Sequence, residues 1–349
     1  MTELDALVGR IEAPDPRVAL AAQRRLDRLT KPPGSLGRLE ELAARVALLT
    51  GRERPRVVAP VIFTLAADHG VVAEGVSPYP QAVTCQMVEN FGRGGAAINV
   101  LARQVGVRVV VADLGIAGDV APWPGLVVEK VGRGTANLAR GPAMTREEAR
   151  AAIGIGARLV EDAAPDCVGT GEMGFGNTTA ASALTAALTG ADPDAVTGRG
   201  TGLDEAGRAR KVAVIGRALA ANRPDPGDPL GVLAALGGFE IAGLVGVILA
   251  GAGRRVPVVL DGFIATAAAL VAVRLCAETR EYLLAAHRSA EPGHGRLLET
   301  LGLAPYLDLG MRLGEGTGAA LGIGLLKAAL ACYDEMATFK EAGVSERLS

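Results

Sequence analysis

An α/β architecture with a mainly parallel sheet follows from three features of this 349-residue sequence. Four apolar runs end in polar or glycine residues, as strands do when they deliver loops to a ligand. Alanine-rich helical stretches lie between those runs, and strands separated by helices of that length imply right-handed crossovers. Helical segments at both chain ends stand outside the alternation.

Residues 17–50 read as two helices broken at Lys31-Pro32-Pro33-Gly34-Ser35; in the second, Leu36, Leu39, Leu42, Val46 and Leu49 recur at amphipathic spacing. An apolar run over 57–67, interrupted only by Pro60 and Thr64, closes on Asp68-His69-Gly70. Residues 106–113 repeat the pattern, 166–171 give a shorter version, and 255–261 end on Asp261-Gly262. Helices are expected over 79–103, 145–164, 177–190, 204–222, 238–252 and 264–276. The most apolar stretch, 241–253, is about half the ~20 residues of a membrane span and reads as a buried helix. The last helix, 318–338, is expected to join the first ones. Residues 1–57 and 318–349 would then form a small helical domain beside a large α/β domain over 58–317.

Composition narrows the function. Hydrophobic residues make up 49% and the net charge is −2, which excludes a disordered chain and gives no basic excess for nucleic acid. Aromatics at 3% exclude a base-stacking platform. Four dispersed cysteines fit reduced thiols, and three histidines without paired spacing argue against zinc. The N-terminus has acids early and no apolar signal segment, so a cytoplasmic protein is expected. The 47 glycines lack a collagen period and point to loops where backbone approaches a ligand.

Three glycine loops precede helices. Gly169-Thr170-Gly171-Glu172-Met173-Gly174-Phe175-Gly176 formally fits a dinucleotide fingerprint, but Glu172 would face the pyrophosphate. The loop can instead hold one phosphate, or be a tight turn with Asn177 or Thr178 as N-cap. The loop over 197–204 leads into a helix bearing Lys211, which either meets an anion or lies on a solvated face with Arg208 and Arg210. In the third, Glu315 sits between Gly314 and Gly316, either complementing a helix N-terminus or serving as a desolvated base. His69 at a strand end reads as an acid–base candidate or a structural hydrogen-bonding residue. Glu161-Asp162 ahead of Gly169-Thr170-Gly171 imitates a phosphoribosyl-diphosphate motif. Eight residues and Pro165 separate Asp162 from Thr170, so that reading, with its magnesium complex, is rejected.

Together these stretches resemble the nicotinate-nucleotide–dimethylbenzimidazole phosphoribosyltransferase family of cobalamin biosynthesis. The likeness rests on Lys31-Pro-Pro-Gly-Ser-Leu-Gly-Arg-Leu-Glu40, Ala67-Asp-His-Gly-Val71, Gly75-Val-Ser-Pro-Tyr-Pro80, and Val83-Thr84 with Asn90-Phe91. It continues through Gly94-Gly-Ala-Ala-Ile-Asn99, Gly171-Glu-Met-Gly-Phe-Gly-Asn-Thr-Thr179, Gly198-Arg-Gly-Thr-Gly202 and Gly237-Gly-Phe-Glu-Ile-Ala-Gly243. Leu260-Asp-Gly-Phe263, His287-Arg-Ser289 and Gly310-Met-Arg-Leu-Gly-Glu-Gly-Thr-Gly-Ala319 complete it, in order over nearly the whole chain.

The resemblance implies a Rossmann-like sheet with a small helical domain from both ends, a homodimer, and no cofactor or metal. It implies transfer of 5-phosphoribose from nicotinate mononucleotide to 5,6-dimethylbenzimidazole, giving α-ribazole 5′-phosphate and nicotinate. Glu315 corresponds to the general base and Glu172 to a second site carboxylate. Gly174, Gly176, Lys211, Asp261, Gly262 and Ser289 are assigned to the phosphoribosyl part, Asp261 to ribose hydroxyls or loop order. Ser77, Tyr79, Gln86, Met87 and Leu313 would line the base pocket. Phe175 stands where the family often has a small aliphatic residue. Alternatives are another acceptor (benzimidazole, adenine or a phenol), a non-catalytic binder of phosphorylated nucleosides, or a dinucleotide oxidoreductase.

Overall fold

The computed structural model describes residues 2–345; Met1 and 346–349, the extremes of the two terminal segments, lie outside the described part. The chain begins with α1 (Glu3–Val8), α2 (Arg17–Arg28) and α3 (Arg38–Thr50), then enters β1 (Pro60–Ala67). Helices α4 (Ala82–Arg93) and α5 (Ala97–Val105) lead to β2 (Arg108–Gly115) and β3 (Leu126–Val128). Next come α6 (Arg146–Ala163), β4 (Cys167–Met173), α7 (Asn177–Thr189), α8 (Pro193–Val196), α9 (Glu205–Asn222), α10 (Pro229–Leu236) and α11 (Phe239–Gly253). The rest is β5 (Val258–Leu260), α12 (Phe263–Leu275), β6 (Leu283–Ala285), α13 (Pro292–Leu301), α14 (Thr317–Glu335) and α15 (Phe339–Ala342).

The six strands form one parallel sheet in the order β3-β2-β1-β4-β5-β6, the Rossmann arrangement. The four expected strands are present. β3 and β6, three residues each, carry too little pattern to stand out in sequence. The helix expected over 79–103 is two helices, because Gly94 adopts φ 75°, ends α4, and starts a turn before α5.

Alternation along β1 divides the core. Val61, Phe63, Leu65 and Ala67 face a cluster shared with α6, α7, α11 and α12. Ile62 and Ala66 face one shared with α2, α3, α5 and α14. Helices from both chain ends meet on that second face, where α14 lies against α3 and α5. The stretch 241–253 is, as expected, a buried helix, and among the described residues no helix is long and apolar enough to cross a membrane.

Helices α6 and α11 touch backbone to backbone. A β-carbon on Gly246 would collide with the Ile153 carbonyl, and one on Gly156 with that of Gly243. Overpacking of this kind costs on the order of 1–3 kcal/mol. Gly246→Ala should therefore lower Tm by several degrees, whereas Gly141→Ala, with nothing within 4 Å of the added carbon, should leave it unchanged. Equal Tm values in a thermal melt would contradict this helix contact.

Candidate active site

Strand order reverses between β1 and β4, and parallel sheets open a crevice beyond the strand ends at such a point. A cleft of about 410 Å³ lies there, lined from β4, the loops after β5 and β6, and the loop before α14. It brings together Ser77, Tyr79, Met87, Glu172, Gly174, Gly176, Asp261, Gly262, Ser289, Leu313 and Glu315. Two expected residues are not in its lining. Gln86 lies exposed on α4, although its neighbour Met87 reaches the cleft. Lys211 is fully buried behind the wall and donates from Nζ to Thr178 Oγ1 at 2.7 Å, so its alternative place on a solvated face is excluded.

Glu315 is held by its backbone. It adopts φ 64°, a left-handed conformation that non-glycine residues occupy only when the surroundings enforce it. Thr64 Oγ1 donates to its carbonyl at 2.9 Å, and its N–H donates to the Glu172 carbonyl at 3.2 Å. Gly171 is bare because a β-carbon would lie 2.6 Å from the Glu315 carbonyl oxygen. The side chain is buried, and Ile98 N–H, in the first turn of α5, donates to Oε2 at 3.4 Å. Burial raises the pKa of Glu315, and that N–H offsets part of the rise.

The N-terminus of α14 belongs to a different carboxylate. Asp261 accepts from the N–H groups of Gly316, Gly318 and Ala319 at 3.2, 2.6 and 3.1 Å. Its own N–H donates to Thr170 Oγ1 at 3.0 Å. Of its two expected roles, ordering the loop is the one this geometry performs. Burial pushes Asp261 up to about 7 against those three donors. Glu172 is also raised well above the ordinary carboxylate range, first by burial and then by Asp261, Glu240 and Glu315; the Asn177 amide on Oε2 partly opposes this.

Part of the cleft wall is aromatic, with Tyr79 and Phe175 rings 5.6 Å apart at 52°. The Ser77 hydroxyl accepts from Tyr79 N–H at 3.2 Å and shapes that turn. The N-cap of α7 is Gly176 (φ 94°) rather than Asn177 or Thr178, and no side chain caps the helix. Helix α12 likewise starts uncapped after Gly262. Two helix N-termini thus face the cleft, with partial positive charge suited to a phosphate. Burial lowers Lys211 to about 8, with Glu291 opposing.

Sequence reasoning did not single out Glu291 or Arg312, which line the cleft, or Glu240 behind it. Glu240 Oε1 pairs with His69 Nε2 at 2.6 Å, both wholly buried, which makes His69 structural. As the only charged residue of α11, Glu240 carried a readable signal.

A family profile described as phosphoribosyltransferase matches residues 11–344. A protein of Chloroflexus aurantiacus named nicotinate-nucleotide–dimethylbenzimidazole phosphoribosyltransferase is 56% identical over 351 residues, with 100% of each chain covered. One of the same name from Desulforudis audaxviator is 56% identical over 349 residues, covering 99% of each. The crystal structure of CobT from Thermus thermophilus superposes with a TM-score of 0.92 at 52% identity, covering 95% of this chain and 100% of that one.

Gly171→Ala tests the hold on Glu315. The added methyl must displace the Glu315 carbonyl, so turnover should fall at least ~10-fold in a protein with an unchanged circular dichroism spectrum. Wild-type turnover in a folded variant would contradict the tight fit.

Proposed function

The chain belongs to the nicotinate-nucleotide–dimethylbenzimidazole phosphoribosyltransferase family, and from that premise we propose how its cleft works, with Glu315 as general base. The reaction moves 5-phosphoribose from nicotinate mononucleotide to 5,6-dimethylbenzimidazole and releases α-ribazole 5′-phosphate and nicotinate.

The donor carries its own activation, because its pyridinium ring leaves as a neutral nitrogen heterocycle. The acceptor has a lone pair on one ring nitrogen and a proton on the other. As the lone pair attacks ribose C1′, that proton becomes acidic, and Glu315 accepts it. Attack on the face opposite the departing pyridine converts a β donor into an α product. Glu172 lies beside Glu315 and steadies the ribose as C1′ gains positive charge. The base lies flat between Tyr79, Phe175, Met87 and Leu313, with Ser77 at its edge. The phosphate sits at the N-termini of α7 and α12, among Gly174, Gly176, Gly262 and Ser289, with Lys211 acting through Thr178. The reading includes a homodimer in the cytoplasm, and sedimentation that returned only a monomer would remove the dimer.

What supports the assignment most is the placement of Glu315. Its backbone is fixed at two points, and its buried carboxylate, held by the Ile98 N–H, lies in the cleft that also presents the aromatic wall.

Purified protein with nicotinate mononucleotide and 5,6-dimethylbenzimidazole should yield nicotinate and ribazole phosphate by chromatography and mass. Glu315→Gln should still bind both substrates and lose ~10²–10⁴-fold in kcat. The base works as a carboxylate, so activity is full above its pKa and lost as pH falls through it. Because burial raises that pKa, the acid limb of kcat should lie above the ordinary value of 4.5, and Glu315→Gln should lack it. Full turnover in this variant, or an acid limb that persists, would remove Glu315 as the base.

A further inference from the structure

We propose that His294 and Thr266 form a positioning relay that fixes the phosphate grip by tying the loop after β5 to the loop after β6; the proposal rests on the phosphate assignment above. The relay is a continuous chain of hydrogen bonds. Ser289 N–H donates to His294 Nδ1 at 2.8 Å. His294 Nε2 meets Thr266 Oγ1 at 3.0 Å, and the Thr266 hydroxyl donates to the Gly262 carbonyl at 2.7 Å.

The proton count fixes every direction. A backbone N–H can only donate, so Nδ1 is the acceptor and the ring proton sits on Nε2. Nε2–H then donates to Thr266 Oγ1, which leaves the single hydroxyl proton for Gly262. A protonated ring would set a second N–H against that of Ser289. Burial, with His287 and Arg288 nearby, lowers the His294 pKa to about 3 and keeps the ring neutral. His294 and Thr266 are both wholly buried and neither lines the cleft, so they act only through what they hold.

What they hold are the two ends of the anion seat. Gly262 precedes the first N–H groups of α12, and Ser289, whose hydroxyl oxygen accepts from Glu291 N–H at 3.3 Å, lines the cleft. The two loops follow adjacent strands, but the strand pairing itself stops at Leu260 and Ala285. Beyond it, the relay sets the spacing between the α12 N-terminus and Ser289. An anion held from both sides feels that spacing directly, whereas the base pocket lies on other elements.

Steady-state kinetics of Thr266→Val test this, because valine fills the same volume and cuts the relay. The KM for nicotinate mononucleotide should rise about tenfold, the order expected when one hydrogen bond's worth of positioning is lost. kcat and the KM for 5,6-dimethylbenzimidazole should stay within about twofold. Thr266→Ser, which keeps the hydroxyl, should restore the donor KM. His294→Asn, which keeps an acceptor for Ser289 N–H but not the link to Thr266, should behave like Thr266→Val. An unchanged donor KM in both cut variants overturns the relay, as does an equal loss in kcat and both KM values, which a purely structural role would give. Ser289→Ala separates the two levels. If it too leaves the donor KM unchanged, the phosphate assignment has failed; if it raises the donor KM while the cut variants do not, the relay alone has failed.

Discussion

The capping of α14 by Asp261 is the contact on which the site depends. Three backbone N–H groups at the start of a 19-residue helix converge on one carboxylate at the end of β5. The backbone N–H of Asp261 is itself tied to β4 through the Thr170 hydroxyl. Helix α14 is thereby docked at a fixed depth on the sheet, and the loop just before it has no freedom left. Glu315 takes up a backbone conformation that only such a hold can impose. Because Asp261 satisfies the α14 N-terminus, the Glu315 side chain is left to the cleft, with the first turn of α5 as its one backbone donor.

The rest of the cleft follows from sheet topology. Strand order reverses between β1 and β4, so the loops leaving these strands diverge and open a crevice. The crevice gathers both carboxylates and uncapped helix N-termini. A carboxylate that ionises in this dry cleft suits a reaction whose transition state is cationic at the sugar, while the helix ends suit the phosphate. Burial is the first cause of the raised pKa at Glu172, Asp261 and Glu315 alike.

Much of this was legible in the chain. The apolar runs ending in Asp68, Asp113 and Asp261 announced strands and a site at their C-terminal ends. The glycine loops around Glu172 and Glu315 announced where backbone would crowd a ligand. What escaped was what three-dimensional proximity decides. β3 and β6 are strands through their neighbours, with three residues each to show for it. Lys211 lies in a run of basic residues that looks solvated, and only the packing of α9 against α7 turns it inward. Gln86 shares a helix with Met87 yet points elsewhere, since adjacent helical residues face different directions. Glu291 and Arg312 reach the cleft from loops without regular spacing.

The steady-state rate of Asp261→Asn measures most directly whether the α14 cap holds the site. The amide keeps an oxygen for Gly318 and Ala319 but turns an N–H₂ toward Gly316, which loosens the turn carrying Glu315 without emptying the site. kcat should fall at least ~10-fold, with a much smaller change in donor KM and a folded spectrum. A kcat at the wild-type level would show that the position of Glu315 does not depend on this cap.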